Sequence, residues 1–213
     1  MATYDLDEQE RLDELKAWWK RWGSLVMVGL AVAIAAAAGW RYWQNHTVTQ
    51  SLEAAVLYEK LTQSLVTNDT KDAREAGSML IEQYKGTAYA PRAALLLAKL
   101  NAKNKDLKSA QSQLEWVLAN SKEPAIKDLA RLHLAGVQLD QKQYDAALKT
   151  LAGSHSDAFA FRFEDLRGDV LMAQDKKDAA RAAYQAAFGK MGQDNPYRSI
   201  VELKLDALGG ETK

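Results

Sequence analysis

The residue types most often used for catalysis and metal binding are scarce or scattered in this sequence. The three histidines, His46, His133 and His155, are isolated, and none has the i, i+4 partner that binds a metal from one helix face. The chain has no cysteine, which excludes a thiol nucleophile and a thiolate metal site. No nucleophile elbow, phosphate-binding glycine loop or dinucleotide fingerprint is present. The sequence therefore predicts a protein without catalytic residues, metal or cofactor.

The charge of the chain is balanced, with 28 basic and 28 acidic residues. The carboxylates are scattered at the spacings of solvent-facing helix surfaces, and no basic face suggests a nucleic-acid partner. Since neither catalysis, metal binding nor nucleic-acid binding is indicated, we expect the protein to act by binding other proteins.

Candidate binding residues lie on the first helix of each of three predicted helix pairs, because in arrays of such pairs that helix lines the concave surface. The middle of this predicted groove is apolar. It is either a peptide-binding strip with a charged rim or a surface covered by the domain's own terminal helices. The predicted groove residues are Arg92, Leu95 and Lys99, then Leu129, Leu132 and Leu139, then Arg162, Asp165 and Asp169.

The helix pairs are indicated by a repeated spacing of small and large residues. In each set a small residue is followed twelve positions later by an alanine and four further on by a large apolar residue, with a polar break before the alanine. Two helices joined by a short turn must approach closely, and small residues permit that approach. The sets recur 37 and 33 positions apart, around the ~34-residue period of tetratricopeptide repeats. They are Ala98, Ala110 and Leu114; Ala135, Ala147 and Leu151; and Gly168, Ala180 and Tyr184.

The rest of the chain beyond residue 44 also has a helical pattern. Pro91, Pro124 and Pro196 each stand at the head of an apolar-periodic segment, where a helix tolerates proline, and no segment alternates as a strand would. We predict an all-α fold in which an N-terminal transmembrane helix precedes a tetratricopeptide-like helical solenoid. Its predicted parts are an irregular helix pair at 50–85, repeats at about 88–120, 125–153 and 157–190, and a capping helix at 196–208 with Arg198, Glu202 and Lys204 on its outer face.

The segment from Trp22 to Trp40 has no charged residue. A helix of this length covers ~28 Å, close to the ~30 Å hydrocarbon thickness of a bilayer, so we predict a transmembrane helix over residues 22–43. The alternatives are a buried core helix and a cleaved signal peptide, and the long acidic segment ahead of the apolar run opposes the second. Aromatic residues are expected at the two membrane interfaces, namely Trp18, Trp19 and Trp22 at one and Trp40, Tyr42 and Trp43 at the other. Gly29, Ala33 and Ala37 form a small-residue face that suits packing against other membrane helices.

Basic residues concentrate on the N-terminal side of this helix. Arg11, Lys16, Lys20 and Arg21 precede it, against Arg41 at its C-terminal end, so residues 1–21 are expected in the cytoplasm and residues 44–213 outside. The acidic cytoplasmic lead-in is either a docking or degradation handle or a solvated extension of the helix.

The whole chain resembles one family, the YfgM-type ancillary subunits of the bacterial SecYEG translocon. The resemblance lies in the acidic lead-in with Trp18-Trp19 and in three further motifs. These are Gly-Trp-Arg-Tyr-Trp at 39–43, Asp-Ala-Ala-Leu-Lys-Thr-Leu at 145–151 and Asp-Leu-Arg-Gly at 165–168.

The resemblance implies a single-pass protein of the bacterial inner membrane with a cytoplasmic N-terminus and a periplasmic tetratricopeptide-like domain. It also implies an adaptor that associates with the SecYEG translocon and with a membrane-anchored prolyl-isomerase-type chaperone, and that helps exported polypeptides leave the channel. The alternative is a docking scaffold for another envelope assembly machine. An enzyme is a more distant alternative, since no acid–base pair or nucleophile is evident.

Overall fold

The computed structural model describes residues 3–209, with side chains from residue 11 onward. Every regular element in this range is helical, which confirms the all-α fold class. A short 3₁₀ helix, Asp157–Phe159, precedes the seventh α-helix. The α-helices are α1 (Thr3–Val66), α2 (Thr70–Gln83), α3 (Tyr89–Lys103), α4 (Leu107–Asn120), α5 (Pro124–Asp140), α6 (Tyr144–Leu151), α7 (Ala160–Ala173), α8 (Lys177–Gly189) and α9 (Arg198–Asp206).

The chain divides into two compact units, residues 1–50 and 51–213. The first consists of the N-terminal part of α1, and its apolar side chains are exposed, as with Leu25, Val28 and Ile34. Within the described residues, the helix segment Arg11–Val66 is long and apolar enough to cross a membrane, and only 6% of its most apolar window is buried. A core helix would bury that surface, so the exposure argues against the core-helix alternative. The first two residues and the side chains of residues 3–10, which include part of the acidic lead-in, lie outside the described range.

The second unit is a solenoid of antiparallel helix pairs, and residues with left-handed backbone mark its period. The first helix of each pair ends in the same motif. At the end of α5, for example, the Lys142 amide donates to the Leu139 carbonyl and the Gln143 amide to the Gln138 carbonyl, both at 2.8 Å. The residues with positive φ are Asn68 (57°), Lys105 (64°), Lys142 (61°), Asp175 (59°) and Gly209 (72°).

These five residues stand 37, 37, 33 and 34 positions apart and define the register of the array. The C-terminal part of α1 pairs with α2, α3 with α4, α5 with α6 and α7 with α8. Gly209 follows α9 as the other left-handed residues follow the first helices of their pairs. Helix α9 thus occupies the position of a first helix in the repeat register.

The predicted sets of small and large residues form the contacts within the pairs. All nine members are buried. The closest approach is at Gly168, where an added Cβ would lie 2.3 Å from Cε1 of Tyr184. A similar approach between neighbouring pairs occurs at Gly77 on α2, where a Cβ would lie 2.6 Å from Cδ1 of Leu97 on α3. The repeated spacing is therefore a packing requirement, as the sequence predicts.

The terminal helix α9 is held by polar as well as apolar contacts. Val201 and Leu205 are buried against α8. The Lys204 ammonium donates to Asp165 Oδ1 at 2.7 Å and to Asp169 Oδ2 at 2.9 Å, both on α7.

The prediction that Arg198 and Lys204 lie on the outer face of the capping helix is wrong. Lys204 turns inward because two carboxylates of α7 would otherwise lack a cationic partner. The Arg198 guanidinium lies 3.7 Å from the centre of the Phe188 ring, a cation–π contact that also covers the ring. Glu202, the third of these residues, is half-buried as well.

Candidate protein-binding surface

One surface of the solenoid runs along the first helices of all the pairs. Residues 13, 9, 6 and 2 positions before each left-handed residue share a stripe on their helix, because an α-helix turns once in about 3.6 residues. None of them is buried, and we call this stripe the inner face. It comprises Ala55, Glu59, Thr62 and Val66 on α1; Arg92, Leu96, Lys99 and Lys103 on α3; Leu129, His133, Gly136 and Asp140 on α5; Arg162, Leu166, Asp169 and Ala173 on α7; and Pro196, Ile200, Leu203 and Ala207 around α9.

The inner face is recessed between α1 and α3. A cavity of about 500 Å³ opens there, with Leu65, Leu96 and Leu100 among its apolar lining and Lys99 and Lys103 among its polar lining. Further along the face, His133 is exposed. Partial burial and the positive charges of Lys99 and Arg162 lower its pKa below the ordinary value.

Five of the predicted groove residues lie on the inner face: Arg92, Lys99, Leu129, Arg162 and Asp169. The other four turn toward a neighbouring helix. Leu95 packs in the core between α3 and α5, and Leu139 packs in the core between α5 and α7. Leu132 is only 8% exposed and belongs to that second core, and Asp165 pairs with Lys204 of α9.

The four displaced residues are explained by helix geometry. Leu95, Leu132 and Asp165 each lie ten positions before a left-handed residue, and Leu139 lies three before one. These positions face the next repeat, because a shift of one residue rotates a side chain by about 100° around the helix axis. Substitution of Leu132 would accordingly change the stability of the core and would not report on partner binding.

The sequence reasoning missed several inner-face residues, notably Leu96, His133, Leu166, Ile200 and Leu203. Ile200 and Leu203 are 47% and 69% exposed, and they continue the face onto α9. The prediction located the turns by their polar breaks, but it could not identify the left-handed residue in each. Glycine usually marks that position, whereas lysine occupies it in two of these turns.

Some charges on the inner face are paired and others are not. Arg92 donates to both carboxylate oxygens of Glu123 at 2.7 Å, which raises the pKa of Arg92 and lowers that of Glu123. Asp169 is paired with Lys204. Lys99, Lys103 and Arg162 have no acidic partner within the part of the chain that the structure describes. Among the acidic residues of the face, Glu59 and Asp140 also lack an ion pair within the described residues, so three cations and two carboxylates of the face are unpaired.

The predicted membrane-interface residues are all exposed on α1. Trp18 and Trp19 have ring centres 6.3 Å apart, and Trp40 and Trp43 have ring centres 5.5 Å apart. Trp22 and Tyr42 belong to the same two groups. Gly29, Ala33 and Ala37 are exposed as well, and a Cβ on Gly29 would meet no atom within 4 Å. The surface around Gly29 is open to another helix.

Comparison with known proteins extends over nearly the whole chain. Residues 16–210 match the family of tetratricopeptide repeat-like domains. The ancillary SecYEG translocon subunit of Neisseria gonorrhoeae is 33% identical over 209 residues, which cover 98% of this chain and 100% of that protein. The chain belongs to the ancillary SecYEG translocon subunit family.

Other members of this translocon subunit family align over similar lengths. The subunit of Escherichia coli K12 is 32% identical, and the alignment covers 98% of this chain and 99% of that protein. The subunit of Haemophilus influenzae is 30% identical, and the alignment covers 97% of this chain and 100% of that protein. The family resemblance found from the motifs is thereby confirmed. As for metal sites, the described side chains contain no group of three or more metal-ligating residues.

Proposed function

We propose that this protein is a non-enzymatic, inner-membrane-anchored adaptor of the SecYEG translocon. Its tetratricopeptide-like domain binds a membrane-anchored prolyl-isomerase-type chaperone or emerging exported polypeptides, and it aids their release and trafficking. One observation carries the proposal. Over nearly its full length the chain is 30–33% identical to proteins named as ancillary SecYEG translocon subunits. The apolar segment of α1 supports the membrane anchor by its length and composition.

The proposed topology places residues 1–21 in the cytoplasm, residues 22–43 in the inner membrane and residues 44–213 in the periplasm. The basic residues Lys16, Lys20 and Arg21 support this orientation, because positive charge near a membrane helix stays on the cytoplasmic side. Aromatic residues at both ends of the segment suit the two interfaces. A tethered domain meets partners at the same membrane at high effective concentration.

The inner face is the surface that we propose for chaperone or polypeptide binding. It carries a cavity between α1 and α3, it combines apolar side chains with cations that lack an acidic partner within the described residues, and it continues over every helix pair of the second unit. Contact with the translocon is assigned to the membrane segment. The open surface at Gly29, Ala33 and Ala37 permits close packing of another membrane helix.

Extraction in mild detergent tests the translocon contact. Tagged full-length protein is compared with a form that lacks residues 1–43 and with the double variant Gly29→Leu, Ala33→Leu. We expect SecYEG subunits to accompany the full-length protein, to be absent with the truncated form and to fall at least about five-fold with the double variant. The double variant Ala31→Leu, Ala35→Leu, on the opposite face of the same helix, is the matched control and keeps full recovery. Equal recovery with all four proteins would contradict the membrane contact, and recovery of a different envelope machine would contradict the function.

A further inference from the structure

A line of basic side chains crosses the centre of the inner face. Lys99 on α3, His133 on α5 and Arg162 on α7 lie 6, 9 and 13 positions before the left-handed residues of their pairs. Each step to the next helix therefore moves the side chain about one turn toward the helix N-terminus. The three residues form a diagonal across three adjacent helices, and we call it the basic line.

The basic line is not neutralised by the protein itself. Lys99 and Arg162 have no ion pair within the described residues, and the nearest carboxylate on the same face of α7, Asp169, is engaged by Lys204. The pKa of His133 is lowered first by burial and then by the positive charges of Lys99 and Arg162. Glu59 and Asp140 are the acidic residues of the inner face that lack an ion pair, and neither contributes to this shift.

Apolar surface lies at both ends of the basic line. On the α3 side is the cavity lined by Leu65, Leu96 and Leu100. On the α7 side are the exposed Ile200 and the half-buried Leu166, part of which packs in the core between α5 and α7. Packed helices lie about 8–10 Å apart, so the distance from α3 to α7 is roughly 20 Å, the length of about six residues in an extended chain.

We propose that the inner face selects extended polypeptide segments in which acidic residues are flanked by apolar residues. Carboxylates pair with Lys99 and Arg162, His133 supplies a neutral hydrogen-bonding group between them, and the apolar residues occupy the cavity and the Leu166–Ile200 surface. This inference rests on the proposed function, for which it names the class of segment bound. Attraction between the acidic segment and the basic line speeds their association, and repulsion disfavours basic segments. Contact between apolar side chains adds buried area to the complex.

Fluorescence anisotropy of labelled peptides tests the selection, with the full chain in lipid nanodiscs. One probe is a ten-residue peptide with two central glutamates and two leucines toward each end. The other has lysine in place of both glutamates. We expect the glutamate peptide to bind at least about ten-fold more tightly at low salt, with a smaller difference at 0.5 M salt, where exposed charges are screened.

Charge reversal then locates the preference. The double variant Lys99→Glu, Arg162→Glu should abolish or invert it, whereas Lys108→Glu, Lys149→Glu, on exposed positions of second helices, should leave it unchanged. Unchanged thermal unfolding of both variants shows that the fold is intact. Equal affinity for the two peptides, no binding of the glutamate peptide, or an undiminished preference in Lys99→Glu, Arg162→Glu would overturn the proposal.

The outcome is separable from that of the detergent extraction. If SecYEG subunits accompany the anchored protein but the peptide preference is absent, the basic line is wrong and the proposed function stands. If the preference is present and no SecYEG subunit is recovered, the selectivity stands and the translocon function falls.

Discussion

Gly168→Ala is expected to destabilise the domain by about 2 kcal/mol, although alanine is the better helix former. The added Cβ would lie 2.3 Å from Cε1 and 2.5 Å from Cδ1 of Tyr184, so α7 and α8 must separate or the ring must move. The ring cannot move freely, because the Tyr184 hydroxyl donates to Asp169 Oδ1 at 2.8 Å. Burial and the nearby Asp169 raise the pKa of Tyr184, which keeps the hydroxyl protonated as a donor.

Thermal unfolding followed by circular dichroism measures this effect, and Gly136→Ala is its matched control. Gly136 lies in the middle of α5 on the inner face, where a Cβ would meet no atom within 4 Å. Alanine there should stabilise the domain by up to about 1 kcal/mol through helix propensity. We thus expect opposite shifts of the unfolding temperature, with a fall of about 4–8 °C for Gly168→Ala. A rise in both variants would show that the close approach of α7 and α8 is not a constraint.

Asp128→Ala is expected to cost about 3 kcal/mol, because it removes a buried acceptor from three donors. Asp128 is 3% exposed. Its Oδ2 accepts from the amide and hydroxyl of Ser156 at 3.0 and 2.9 Å, and its Oδ1 accepts from Arg131 at 3.0 Å. These bonds hold the loop after α6 against α5. That loop also stacks His155 on Phe163, with ring centres 4.2 Å apart.

Two further variants make the Asp128 result specific. Asp128→Asn keeps an acceptor of similar shape but loses the charge that pairs with Arg131, and it should lie between wild type and Asp128→Ala in urea unfolding. Asp157→Ala removes an exposed carboxylate from the same region and should change stability by less than about 0.5 kcal/mol. If Asp128→Ala were as stable as Asp157→Ala, the buried bonds would contribute nothing to the fold.

The fold could be predicted from sequence because its determinants are local and repeated. Close packing of two helices requires small residues at fixed spacing, and Ala98, Ala135 and Gly168 supply them in a pattern that a reader of the sequence can find. The membrane-length apolar run is similarly evident from composition alone. The orientation of Lys204 was not predictable, since it depends on two carboxylates of α7 that lie 35 and 39 residues away in sequence.

The binding surface could be predicted only in part, for a geometric reason. A helix face is fixed by its phase, and an error of one residue moves a side chain by about 100° around the axis. Leu129 and Arg162 lie on the inner face, whereas Leu132 and Asp165, three positions further along, turn toward the next repeat. In the structure, the left-handed residues Lys105 and Lys142 show which residues of α3 and α5 share a face. This conformation is costly for lysine and has no signature in the sequence.

Site-specific photo-crosslinking tests the central claim most directly, namely that the inner face of a translocon-bound adaptor contacts exported polypeptides or their chaperone. A photoreactive residue is placed at Leu166 or Ile200 on the inner face, or at Lys108 or Lys149 on second helices, in full-length protein in inner-membrane vesicles that hold a stalled exported chain. We predict crosslinks to the stalled chain or to a membrane-anchored chaperone from the two inner-face positions and none from the other two. Equal crosslinking from all four positions, or crosslinking from Lys108 and Lys149 alone, would contradict the account.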